Sequence, residues 1–216
     1  STDDAFLREL LEEAKFPSGP SCLTGSHSTG NSYYMELSGT SQATAVASGV
    51  AALTREFLRE QAGVSSPSSS LVKAALINGA EDLGTPDIPN ADEGWGQVDL
   101  SRTVLPMDGT TPLNTFFDDN KPLSPGFGLL YSFSLDPSHG VDITLAWTDE
   151  AGSANAPQSQ PRLVNNMDLI LVDPNGVEWL GNQFANGITT SGGTADDVNN
   201  VERIRIPAGA LSGGQG

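Results

Sequence analysis

Residues Leu37 to Leu53 read LSGTSQATAVASGVAAL, and this segment constrains the chain more than any other. From Ala43 onward its small residues hold no proline, so the spacing predicts one uninterrupted helix over Ala43 to Gln61. Ser38, Gly39 and Thr40 form a tight turn in front of it. Ser41 then stands at a helix N-terminus, where N–H groups without intrahelical partners and the positive end of the dipole stabilise negative charge. Two readings fit that position. Serine is a preferred N-cap, so Ser41 can simply cap a buried helix. It can also be a nucleophile, because acyl transfer develops an oxyanion beside the attacking hydroxyl.

The rest of the first half organises around that helix. Ala47, Val50, Ala51, Thr54 and Leu58 share one face, and the Ala/Gly/Ser-rich first half is expected to pack closely against neighbours. Arg55, Glu56, Arg59 and Glu60 make the second half partly solvent-facing, and Gly63 ends it. Ser65 to Ser70 links to a second predicted helix, Leu71 to Ala80, and an acidic loop with Pro86 and Pro89 follows over Glu81 to Glu93. Upstream, Phe6, Leu7, Leu10 and Leu11 make Ser1 to Lys15 an amphipathic helix. Phe16 to Asn31 is a loop rich in Pro, Gly and Ser, and Tyr33 to Leu37 is a short strand that presents the turn.

Near Pro106 the texture changes. Helical periodicity gives way to short alternating runs broken by Pro, Gly, Asn and Asp. Strands are expected at Gly128 to Leu135, Val141 to Trp147, Met167 to Val172, Glu178 to Gly181 and Val201 to Ile206, with a turn at Asp173-Pro174-Asn175-Gly176. The expected fold class is therefore α/β followed by an all-β sandwich or jelly roll.

Charge and composition exclude some functions. The net charge is −17 and both halves are acidic, which argues against a nucleic-acid partner. No apolar run is long enough to span a bilayer, so no membrane role is expected. Cys22 is the single cysteine, so no intrachain disulfide forms. Side-chain oxygens gather at turns of the second half: Asp149, Asp168, Asn182, Asn200 and Glu202. Such groups suit a structural calcium ion if they converge, and equally suit solvated turns.

Three motifs carry a resemblance. Gly39-Thr40-Ser41-Gln42-Ala43-Thr44, followed by Ala47-Ser48-Gly49 and Ala51-Ala52-Leu53, resembles the serine motif of subtilisin-like serine proteases, the subtilases. Leu71 to Ala80 (LVKAALINGA) resembles the helix that follows in that family, and Gly94-Trp95-Gly96-Gln97-Val98-Asp99 resembles its GWG signature. Ala45 stands where the family usually has proline; alanine keeps a first helical turn intact. The second half, with Leu145-Ala146-Trp147-Thr148-Asp149, Leu163 to Leu169, Pro174-Asn175-Gly176, Gly181-Asn182 and Asn199 to Glu202, resembles the β-barrel domain appended to one branch of bacterial subtilases.

The resemblance implies that residues 1–105 are the C-terminal part of a catalytic domain and residues 106–216 a β-sandwich cut short at its C-terminus, which leaves an open sheet edge. It implies that Ser41 is the acyl-accepting nucleophile, that the Ser41 N–H forms part of the oxyanion hole, that the substrate is polypeptide, and that calcium is structural. The family's aspartate and histidine motifs are absent. The two histidines, His27 and His139, lie in polar turns and read as solvated. The chain is thus expected to be a fragment of a secreted serine endopeptidase that needs the missing N-terminal part of its catalytic domain and is inactive alone. The alternative is a non-catalytic pseudoprotease, or a calcium-stabilised β-sandwich binding module.

Overall fold

The computed structural model describes residues 27–28, 35–36, 39–84, 87–108, 111–136, 138–155, 157, 160 and 162–211. The amphipathic helix expected at Ser1 to Lys15, the greater part of the loop after it, Cys22 and Ser38 lie outside the described residues.

A short hairpin, β1 (His27–Ser28) and β2 (Met35–Glu36), precedes the helices, so His27 sits on a two-residue strand and not in an open loop. Helix α1 follows over Thr40–Glu60, three residues earlier than predicted, because Gly39 and not a side chain makes the N-cap. Helix α2 spans Ser69–Gly79. Ser68 caps it by accepting the Leu71 N–H at 3.0 Å. A short helix, α3 (Leu100–Val104), is capped by Asp99, whose Oδ1 accepts the Arg102 N–H at 3.1 Å. The sequence reading missed α3.

These helices make the first core. Leu58, Val50 and Thr54 from α1, Leu71, Ala75 and Ile77 from α2, and Leu100 and Thr103 from α3 are buried. Gly79 lets α2 and α3 touch: a Cβ there would lie 2.7 Å from the Thr103 backbone nitrogen. The GWG segment closes the layer for a similar reason. Gly96 adopts φ +105 where a Cβ would collide with the Glu81 carbonyl, so only glycine admits the Glu81–Gln97 bridge, with N–H···O distances of 2.9 and 2.7 Å.

The first half of α1 departs from expectation. Ser41, Ala43, Thr44, Ala45, Ala47, Ser48 and Gly49 are exposed, and only Gln42 and Val46 are half-buried. A Cβ on Gly49 would meet nothing within 4 Å. Small residues permit close packing, but no described element covers them.

Beyond Pro106 the chain forms antiparallel pairs. β3 (Met107–Asp108) pairs with β4 (Thr111–Pro112). β5 (Val141–Ala146) pairs with β10 (Val201–Ile206) over six residues, Ile143 opposite Ile204. β6 (Ile170–Val172) pairs with β7 (Glu178–Leu180). β8 (Phe184–Ala185) pairs with β9 (Ile188–Thr189). Among the described residues each sheet has two strands, and a closed sandwich is not assembled. The expected strand at Gly128 to Leu135 belongs to no ladder. The β8–β9 hairpin was not anticipated, although Asn186-Gly187 announces it: φ is positive at both (55° and 72°), as a type I′ turn demands.

The β5–β10 ladder is fixed to the helical layer by Arg203, which is fully buried. Its guanidinium grips Asp142 with two bonds, Nε to Oδ1 at 2.9 Å and Nη2 to Oδ2 at 2.8 Å. It also donates to the last carbonyls of α2, Asn78 at 2.8 Å and Ala80 at 3.4 Å. Thr144 Oγ1 donates to Asn78 Oδ1 at 2.8 Å, and Lys73 Nζ to Asn200 Oδ1 at 2.8 Å.

Candidate functional site

Gly39 sets the site. It sits at φ 154, ψ 167, which side-chain-bearing residues rarely adopt, and a Cβ there would meet Gln42 Oε1 at 3.0 Å. This backbone kink starts α1 without a side-chain cap. The first intrahelical bond is Ala43 N–H to Gly39 O at 3.1 Å. The N–H groups of Thr40, Ser41 and Gln42 therefore precede the ladder and point out of the helix end. Ser41 occupies the second helical position and is exposed. It is not the N-cap, so the capping reading of this serine does not hold.

The neighbouring hydroxyls are engaged with the helix backbone. Thr44 Oγ1 donates to Thr40 O at 2.7 Å, and Ser48 Oγ donates to Thr44 O at 2.8 Å. Gly39, Thr40, Ala43 and Thr44 thus serve the turn and the first coil of the helix, while Ser41 is exposed among them. Helix α1 passes unbroken through Ala45, so replacing proline there costs no helix. The arrangement puts an exposed serine beside three N–H donors at the positive pole of a 21-residue helix. His139 lies in the turn before β5, its N–H donating to Asp136 O at 3.0 Å.

The five oxygen-bearing residues of the second half are spread over separate arrangements. Both Asp149 oxygens accept N–H donors: Val164 N at 2.7 Å, Asn165 N at 3.0 Å and Asn165 Nδ2 at 2.9 Å. Burial pushes this carboxyl up, and those donors more than offset it, holding it below its ordinary value. Asn200 Oδ1 accepts from Lys73, and its Nδ2 donates to Trp147 O at 3.0 Å. Asn182 Oδ1 accepts the Arg203 N–H at 2.9 Å, and its Nδ2 donates to Asp196 Oδ2 at 2.6 Å. Asp168 is exposed.

Glu202 is 1 % exposed, with Oε2 accepting the Leu169 N–H at 2.6 Å and Oε1 without a partner. Burial pushes its carboxyl up to about 7; the Leu169 N–H opposes this, and Asp168 and Asp196 add to it. Oxygens that already accept N–H bonds and are spread over separate arrangements do not fit a shared calcium ion. Among the described residues no group of three or more His, Cys, Asp or Glu is placed to hold a metal.

Sequence reasoning missed Arg203 and Asp142, which pair across 61 residues, and Asp196, whose oxygens also accept the N–H groups of Val198 and Asn199 at 2.8 and 3.1 Å. The alternation in VERIRI gives no signal for the first: it sets Arg203 on the face opposite Ile204 and Ile206, and only the burial of both faces of β10 encloses it. No described helix is long and apolar enough to cross a membrane.

Residues 13–96 match the model of the Subtilase family, a span that contains Ser41 and ends at the second glycine of the GWG segment. A serine protease/ABC transporter B family protein of Dictyostelium discoideum, tagA, is 37% identical over 186 residues, covering 79% of this chain and 10% of the relative. The similarly named tagD and tagB of the same organism are each 26% identical, over 240 and 229 residues, covering 85% and 80% of this chain and 13% and 12% of the relatives. The chain spans about a tenth of the length of these curated relatives. Within its first half the chain matches the Subtilase family, and its likeness to proteins named as serine proteases extends over most of its length.

Proposed function

We propose that residues 1–105 are the C-terminal part of the catalytic domain of a subtilisin-like serine endopeptidase, with Ser41 as nucleophile. The observation that carries this reading is the exposed Ser41 behind the Gly39 kink, at the open end of α1. In the mechanism, Ser41 Oγ attacks the carbonyl carbon of an extended polypeptide, and the oxyanion that forms is held by N–H groups at the helix end, that of Ser41 among them. An imidazole outside this chain takes the serine proton and returns it to the leaving amine; a carboxylate outside this chain orients the imidazole. Water then cleaves the acyl-serine ester. Residues 106–216 are a separate β-sandwich module fixed to the helical layer through Arg203. The whole protein is secreted.

The test is labelling of the longer natural polypeptide with a fluorophosphonate probe. Wild-type protein is expected to label at Ser41, and Ser41→Ala to lose the label. The 216-residue chain alone is expected to label at least a hundredfold more slowly, since no base activates the serine. Equal labelling of the longer wild type and Ser41→Ala overturns the assignment.

A further inference from the structure

The stretch from Pro122 to Leu135 (PLSPGFGLLYSFSL) carries no charged residue, in a chain of net charge −17. Its large apolar side chains are bare: Phe127 is 75 % exposed and Leu130 93 %, and Leu129, Tyr131, Phe133 and Leu135 are exposed as well. Phe116, Tyr131 and Phe133 lean on one another at ring separations of 5.9 to 6.3 Å. A groove of about 2870 Å³ is lined both by these residues and by Val141 to Trp147. β5 pairs with β10 along one edge only, so its other edge is free among the described residues.

The two sides fit. Leu135 and Val141 are joined by five residues, 136–140, a common hairpin connection length. Folding back through that turn places Leu135 opposite Val141, Phe133 opposite Ile143, Tyr131 opposite Leu145 and Leu129 opposite Trp147. Ser134 then faces Asp142, Ser132 faces Thr144 and Leu130 faces Ala146. Apolar meets apolar on one face and polar meets polar for two of three pairs on the other. The face is continuous with the existing ladder, because Val141 and Ile143 already stand opposite Ile206 and Ile204.

We infer that Gly128–Leu135 is a strap that closes onto the free edge of β5 as its hairpin partner, turning the β5–β10 ladder into a three-stranded sheet. The groove is the space the strap occupies when closed, and its occupant is this segment of the same chain. The chain is held nine residues before the strap, and the turn after it is locally ordered. Asp119 accepts the Ser68 N–H at 2.8 Å and the Ser68 hydroxyl at 2.6 Å, at the start of α2. Asp136 accepts the Ser138 N–H at 2.9 Å and hydroxyl at 2.7 Å, in the turn. Tyr131 Oη donates to Asp118 Oδ2 at 2.7 Å in the open position. Closure satisfies edge hydrogen bonds and removes an exposed apolar row, both of which favour it.

The test uses the whole chain with Cys22→Ser and a cysteine pair at Phe133→Cys and Ile143→Cys. Directly opposed residues bring their Cβ atoms within disulfide range. Mild oxidation is expected to cross-link this pair within the monomer at least tenfold faster than the pair Ser132→Cys and Ile143→Cys, which lies on opposite faces. Equal rates, or cross-links only between copies, overturn the inference. Amide hydrogen exchange on the unsubstituted chain decides the matter if the variants do not fold. Closure predicts at least tenfold slowing at residues 129–135 relative to an unstructured peptide, independent of protein concentration. Exchange at the unstructured rate, or slowing that grows with concentration, overturns it.

Discussion

At the scale of single residues, Glu202 makes the sharpest prediction. Its carboxyl is buried, one oxygen accepts a single N–H, and two carboxylates lie nearby without a cation. Because its value in the folded chain is raised from 4.5 to about 7, the folded state binds the proton more tightly than the unfolded state does. Its stabilising effect is complete below the unfolded value and is lost as pH rises through the folded one. Stability measured by urea titration should therefore fall between pH 4.5 and 7, by an amount on the order of 3 kcal/mol. Glu202→Gln should flatten that slope. Asp196, held below its ordinary value although burial opposes the donors around it, acts in the opposite sense and only at more acid pH. A wild-type slope unchanged by Glu202→Gln would contradict the assignment. Nothing in the sequence revealed this. By sequence Glu202 reads as a turn oxygen, but β10 is buried on both faces and encloses it beneath Gly181, where a Cβ would press on its side chain at 2.7 Å.

At the scale of elements, local pattern and long-range pairing divide what the sequence could disclose. Helices α1 and α2 and strands β5 and β10 were legible because their apolar periodicity and their Gly, Ser and Asn punctuation are local signals. The turn at Gly39 was legible in the same few residues, whereas the exposure of Ser41 and its neighbours was not. Arg203 with Asp142, and the anchoring of β10 on α2, depend on partners 61 and 125 residues away and leave no local trace. Gly128–Leu135 was read as a strand from its alternation; the structure withholds the partner that would make it one. The Arg203 contact also sets a prediction for the element pair. Arg203→Ala leaves two helix-end carbonyls without donors and Asp142 with only Arg205, at 3.7 Å. The expected loss is about 3 kcal/mol by thermal or urea unfolding, and Arg203→Lys should recover less than half of it, because an ammonium cannot reproduce the planar fork. Full recovery with lysine would mean that charge alone matters there.

For the molecule as a whole, metal independence is expected. The oxygens of Asp149, Asn182 and Asn200 accept N–H donors, Lys73 among them, so excess chelator should leave the unfolding midpoint of the chain unchanged, within about 1 °C. A drop of 5 °C or more would reveal a tightly bound ion that stabilises the fold by mass action. The subtilase match ends at residue 96, yet the guanidinium from position 203 rests on the terminal turn of α2. The two halves therefore do not meet as beads on a string. A tilt of the ladder would drag the helix end along with it, so thermal motion in the C-terminal half would be transmitted like torque through a keyed shaft to the layer that presents the serine.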